Sequence, residues 1–578
     1  MNSLRTAKRF VFPLLGLWIL LYASFSLVKP PLLDGADAAT AEAAREMVVT
    51  GDWIMPHING VRAPQIPPLL VWMTAASFRA FGVSDRAARL PLAFCALALF
   101  ALALSLGARL FLTPVAGFYA ALILETSCGI FLFAHLLYPV LLLTLWLTLA
   151  MYFFWRSLRV ASWQTAAGFG VACALGFLSI GLAGAVLPVG IAILYLFYTR
   201  NLRHLLRWHP AVGFGVFLII LVPWIVAVYR ATPSLARLPL PIDRSPVVLF
   251  LAFVLVWITP WFFFSFARLG RLSGRLFSRG ADGALDHSEQ ALLLLVLWAA
   301  FTIALYAFSS RREYFSLPAL PALSLLAAGW LTDDESAPSR YGVIVAWILF
   351  IGGILKAAVF AVLALRAPVL PPSVDIATVL HLHPGQHRLF FGHFTDLTLA
   401  SMGAFRVPLL ITAVAIAAGV TGNLIFRLKG KARLANCFIA GMMVAFLIAA
   451  HLALNTFSPV VSSAILAEAI KPEVDPADVV VINGRYDDAS ALRFYLDRQV
   501  KLLNRRPDVL APWSFAPDAP PIFLDNASLA ALWSSDTRVF LWTPQESVPS
   551  LPSPGYVVAR TGGREIVSNQ PNNGGASF

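Results

Sequence analysis

Along most of the chain, apolar runs of roughly 16 to 25 residues alternate with short polar breaks, close to the length an α-helix needs to cross a hydrocarbon core. The first runs from Phe10 to about Val28. Twelve more follow at 90–111, 115–134, 137–155, 165–180, 181–199, 211–229, 246–267, 289–308, 316–331, 342–366, 406–426 and 435–455. This pattern predicts an α-helical polytopic membrane protein with about 13 transmembrane helices over residues 1–455. Arg5, Lys8 and Arg9 precede the first run, and no small-residue cleavage motif follows it, so it reads as a retained signal anchor.

Two polar stretches interrupt this rhythm. The first, 30–88, separates the first two spans; its Ala-rich spacing from Asp37 to Val48 predicts a helix, and Asp52-Trp53 and Asn59-Gly60 predict turns. Pro64, Pro67 and Pro68 stiffen the approach to a further apolar helix, so the stretch reads as helices lying at the membrane surface. The second begins at about 456. There Val479 to Ile482, ending in Asn483-Gly484, and Arg538 to Trp542 read as buried strands, with a helix over Ser463 to Ile470. The expectation is a small C-terminal α/β domain over 456–578, large enough for its own core and ending in a polar, Gly-rich, disordered tail from Asn569.

Composition agrees with the membrane reading: 59% of residues are hydrophobic and 13% charged, against about a quarter charged in soluble domains. A net charge of +13 would suggest nucleic acid in a soluble protein. Here the basic residues sit in short alternate loops instead, at Arg156 and Arg159, at Arg200, Arg203 and Arg207, at Arg268 to Arg279, and at Arg427 to Arg433. The positive-inside rule makes those loops cytoplasmic, excludes nucleic acid as the partner, and predicts a cytoplasmic N-terminus with 30–88 and the C-terminal domain outside. Cys95, Cys128, Cys173 and Cys437 lie in or beside apolar runs with no C-x-x-C pair, so neither a disulfide nor a metal site is predicted.

The first polar stretch carries Asp34 and Asp37, then Ala44-Arg45-Glu46-Met47, Gly51-Asp52-Trp53, Asn59-Gly60 and Pro67-Pro68-Leu69. In this order they resemble the first extracytoplasmic loop of the bacterial GT-C glycosyltransferases related to aminoarabinose transferase and protein O-mannosyltransferase. Arg311 to Leu323, the Pro-Trp-Phe-Phe-Phe after Trp257 and the C-terminal stretches Val479 to Asn504 and Phe515 to Trp533 are similar to segments of one bacterial subgroup. The resemblance implies a GT-C-like membrane domain, and an enzyme of the bacterial inner membrane that moves a sugar from a polyprenyl-phosphate carrier to a lipid, glycan or protein acceptor. It implies no cofactor beyond that donor. Membrane lipids and the carrier are the implied partners.

Such a transfer needs a carboxylate to take the acceptor's proton and cations to hold the leaving phosphate. Asp37 is the candidate base and Asp34 its helper; the alternative is that both cap the surface helix. Arg311, Arg312, Glu313 and Tyr314, at the outer ends of two spans, are candidates for the carrier phosphate through forked guanidinium bonds, or for simple interfacial anchoring. His57 and Arg62 either face the substrate or are solvated. Glu125, inside an apolar run, reads as a protonated, hydrogen-bonded carboxyl.

The chain also departs from the family pattern. Gln65 and Ile66 replace a Glu-Lys pair, His135 and Val140 stand where an Arg and a carboxylate are usual, and Ile180 replaces a Lys. The alternative to an enzyme is therefore a catalytically impaired homologue that binds the lipid carrier or serves as a partner subunit. A transporter is disfavoured by the lack of internal repeats.

Overall fold

The computed structural model describes residues 2–28, 30–64, 66–231, 246–268, 285–308, 313–371, 374–381, 392–504, 510 and 519–571. Gln65, Arg311, Arg312 and the end of the expected polar tail lie outside them.

Among the described residues, nine helices are long and apolar enough to cross a membrane, and ten if the bent pair Pro114–Glu125 and Cys128–His135 is one span. This corrects the expected thirteen. The other three runs form shorter apolar helices, Phe10–Ser26, Ala183–Tyr198 and Val247–Ile258. Local chemistry accounts for two of them. The helix Val247–Ile258 stops just before Thr259-Pro260, where a proline ring cannot continue the ladder. Gly181, at φ +82°, ends the preceding helix Trp163–Ile180, so Ala183–Tyr198 starts late.

The bent pair turns by 58°. At the break, the hydroxyls of Thr126 and Ser127 donate back to the carbonyls of Leu122 and Ile123, and the Ser127 bond satisfies the Ile123 carbonyl that the broken ladder frees. Glu125 closes the first half. Its backbone carbonyl accepts from the Tyr22 hydroxyl at 2.8 Å, but its buried carboxyl finds no hydrogen-bond partner among the described residues. That corrects the expectation of a hydrogen-bonded side chain.

One end of the bundle gathers the basic loops. Arg268 donates to Asp333 at 2.8 Å, Arg427 pairs with buried Asp334, and Arg159 reaches His287. The other end carries the first polar stretch and the C-terminal sheet. The last long helix runs Ala432–Val461, straight through the expected boundary at 455.

Among the described residues, eight strands complete the fold. β1 (His57–Ile58) and β2 (Val61–Arg62) form a hairpin in the first stretch. The C-terminal sheet contains β3 (Val479–Ile482), β4 (Lys501–Leu503), β5 (Phe523–Leu524), β6 (Val539–Pro544), β7 (Tyr556–Thr561) and β8 (Arg564–Ser568), in the order β5-β4-β3-β6-β8-β7. The first four strands pair in parallel, and β8 joins antiparallel to β6 and β7.

Strand alternation decides how this sheet docks. Val480, Ile482, Leu502, Phe540 and Trp542 point into the core shared with the membrane domain. Their neighbours Val481, Leu503, Val539 and Leu541 pack outward on Leu529 and Trp533 of the helix Asn526–Trp533. The sheet is therefore buried on both faces, and its inner face lies on the first polar stretch.

Candidate active site at the first loop

The first polar stretch folds as the sequence predicts. A helix spans Ala36–Thr50 and ends at Gly51, whose φ of +73° suits the left-handed helix cap. Asn59 and Gly60, at φ +53° and +77°, form the tight turn between β1 and β2 that an Asn-Gly pair favours. Pro67 leads into the helix Pro68–Phe81.

Asp37 lies in the first turn of the loop helix and is 1% exposed. One carboxylate oxygen accepts the backbone N–H of Leu33 at 2.8 Å; the other accepts that of Leu137, also at 2.8 Å. The Arg89 guanidinium stands 3.9 Å away. Burial raises the Asp37 pKa, while Arg89 and the two amides oppose that shift. The helix-cap alternative does not describe this geometry. The capping position is Gly35, and no side chain caps the helix there.

Asp34 turns the other way. Its oxygens accept from Arg564 at 2.6 Å, from the Ser463 hydroxyl at 2.8 Å and from the backbone N–H of Ala491 at 2.9 Å, all in the C-terminal region. Burial raises its pKa, with Arg564 the largest opposing influence. The two aspartates hydrogen-bond to different segments of the chain, and Asp34 ties the first loop to the C-terminal region.

The remaining motif residues follow Asp34. Glu42, fully buried, accepts from Arg45 at 2.9 Å and pairs with Arg493 at 3.1 Å. Glu46 accepts from Arg493 at 3.1 Å and from the backbone N–H of Gly60. Arg45 also pairs with Asp497. Asn59 exchanges two hydrogen bonds with the backbone of Val500, donating at 2.8 Å and accepting at 3.0 Å.

The other described candidates each have local partners. The His57 ring shares a hydrogen bond with the Met55 carbonyl at 2.9 Å, and Arg62 donates to the Ala231 carbonyl at 2.9 Å. Glu313 is buried, and its carbonyl accepts from Trp257. Tyr314 packs on Phe133 and Tyr138, with ring centroids 5.6 and 5.3 Å apart. Val140 is fully buried. Among the described residues, no three His, Cys, Asp or Glu side chains form a group able to hold a metal ion.

Comparison with known proteins places this architecture. Residues 65–226 match the family model described as dolichyl-phosphate-mannose-protein mannosyltransferase. An undecaprenyl phosphate-alpha-4-amino-4-deoxy-L-arabinose arabinosyl transferase of Aeromonas salmonicida is 29% identical over 376 residues, which is 61% of this chain and 65% of that protein. The transferase of the same name from Edwardsiella ictaluri is 28% identical over 56% of this chain and 60% of its own. The chain thus aligns with less than two thirds of the length of these curated relatives. The crystal structure of ArnT from Cupriavidus metallidurans bound to undecaprenyl phosphate superposes with a TM-score of 0.77 at 21% identity, covering 99% of both chains.

The chain has the fold of ArnT, and its sequence is similar to the arabinosyl transferases and, over residues 65–226, to the mannosyltransferase family model. That fold is a bundle of helices long and apolar enough to cross a membrane, joined to a C-terminal α/β region.

Three arginines that organise this candidate site escape sequence reasoning. Arg89 sits at the start of an apolar run, where a guanidinium drawn into the bundle needs acceptors, and it is buried. Arg493 lies in the helix Ser490–Leu496 and Arg564 opens β8. Nothing in their local sequence marks partners more than 400 residues away.

Proposed function

We propose that this protein transfers a sugar from a polyprenyl-phosphate carrier to a lipid, glycan or protein acceptor at the outer face of the inner membrane. The observation that carries the reading is Asp37, a buried carboxylate held by two backbone amides where the first loop meets the bundle, in a fold shared with ArnT. The names of the curated relatives support the donor class.

In this reading an acceptor hydroxyl gives its proton to Asp37 as its oxygen attacks the anomeric carbon. The bond from that carbon to the carrier phosphate breaks, and polyprenyl phosphate leaves with the electron pair. Attack opposite the leaving group inverts the anomeric centre. The two amides occupy one acceptor direction on each Asp37 oxygen and leave the others for the proton. Arg311 and Arg312 are the cations we assign to the leaving phosphate, with Glu313, Tyr314, His57 and Arg62 as surrounding contacts.

In this reading the N-terminus and the basic end of the bundle face the cytoplasm, and a C-terminal extracytoplasmic domain begins near 462.

A second reading, a catalytically impaired homologue that binds the carrier or serves as a partner subunit, is favoured by the burial of Asp37 and by the commitment of Asp34 to Arg564. Incubating the purified protein with a panel of undecaprenyl-phosphate sugars and membrane acceptors separates the two. Release of undecaprenyl phosphate coupled to acceptor glycosylation supports the transferase; carrier binding without release with every donor supports the subunit.

A further inference from the structure

Arg89 lies one turn into the helix Asp85–Leu110, is 2% exposed, and spends its donors on backbone carbonyls. It donates to Pro30 at 2.6 Å, to Pro31 at 3.0 Å and to His135 at 3.1 Å. Pro30 and Pro31 lead into Leu33, whose N–H holds one oxygen of Asp37. His135 leads into Leu137, whose N–H holds the other. A single guanidinium therefore joins the two strands of chain that form the carboxylate's cradle. Asp85, four residues earlier on the same helix face, extends the grip: it accepts from the Tyr495 hydroxyl at 2.7 Å, and that hydroxyl accepts the N–H of Leu32 at 2.9 Å.

We propose that Arg89 is a positioning residue, which sets the placement of Asp37 by tying segment 30–33 to segment 135–137. The consequence for turnover rests on the transferase reading of Asp37; the tie itself does not. A planar guanidinium can serve three carbonyls on two segments at once, whereas an ammonium on a flexible stem is a point donor. Arg89→Lys therefore keeps the charge and loses part of the geometry, and Arg89→Met loses both.

The test pairs a structural readout with a kinetic one, on the full-length protein in detergent. Hydrogen exchange at 32–34 and 136–138 is expected to accelerate at least tenfold in Arg89→Met and by a smaller factor in Arg89→Lys, with exchange in the C-terminal sheet unchanged. Unchanged exchange at both segments overturns the proposal, whether or not any transfer activity is found. In the transfer assay, Arg89→Met is expected to lower kcat roughly ten- to a hundredfold with KM for the donor little altered. In an Asp37→Asn background the same substitution is expected to add less than about threefold, because a residue that acts through Asp37 has nothing left to position. Equal losses in both backgrounds would make Arg89 a general structural residue. If Arg89→Met does not accumulate, Arg89→Lys carries both measurements. Full kcat in Asp37→Asn refutes the base assignment alone, and the exchange data still decide the tie.

Discussion

At the scale of single residues, the first loop divides its charges between two tasks. Asp37 faces the bundle; Asp34, Glu42, Arg45 and Glu46 face the C-terminal domain. Removing Asp34 leaves the Arg564 guanidinium largely buried without its carboxylate, so Asp34→Ala is expected to cost about 3–5 kcal/mol. Limited proteolysis should then cut the C-terminal domain faster; an unchanged digestion pattern would contradict the assignment. Glu42 adds a pH dependence. Burial, opposed by Arg493 and Arg45, pushes its pKa from the ordinary 4.5 up to about 7. A carboxyl with a raised folded pKa stabilises the fold fully below its unfolded value and loses that contribution as pH rises through the folded value. The Tm is therefore expected to fall between about pH 4.5 and about pH 7, and Glu42→Gln should flatten the fall. The same decline in both proteins would remove Glu42 as its source. The acidic pair was legible in the sequence, but its division of labour was not, because Arg564 and Ser463 lie more than 400 residues from Asp34.

At the scale of elements, local signals carried furthest where backbone chemistry decides the outcome. The Asn59-Gly60 turn and Pro67 joined elements where the sequence indicated. Strands β4, β5, β7 and β8 went unread, being short or set in charged surroundings; their pairing supplies what the local pattern lacks. The β1–β2 turn also has a long-range partner. A side chain added at Gly60 would meet Gln499 at 3.1 Å and Pro520 at 3.2 Å in a backbone region that favours glycine. Asn59→Ala leaves the N–H and C=O of Val500 without their partner, at about 1–3 kcal/mol for each buried group. A thermal shift of several degrees is expected, larger than that for an exposed substitution such as Val49→Ala; equal shifts would show that the turn bears no load from the C-terminal domain.

At the scale of the whole molecule, hydropathy found every long span but overcounted full-length crossings, because it cannot see Pro260 or Gly181 interrupting an apolar run. The orientation rests on the charge of alternate loops. Reporters fused at Lys429 and Gly484 are expected to give a cytoplasmic and a periplasmic signal respectively, and a cytoplasmic signal at Gly484 would reverse the topology. The sheet that buries its inner face on the first loop makes the C-terminal domain part of the site's scaffold, although the candidate base itself belongs to the membrane domain.

The transferase account stands most directly on Asp37. In single-turnover transfer from an undecaprenyl-phosphate sugar that the purified protein accepts, Asp37→Asn is expected to slow sugar transfer by about 10²- to 10⁴-fold, the span for loss of a positioned general base, while carrier binding persists. Transfer by Asp37→Asn at the wild-type rate would contradict the account and leave Asp37 a structural carboxylate in a carrier-binding scaffold.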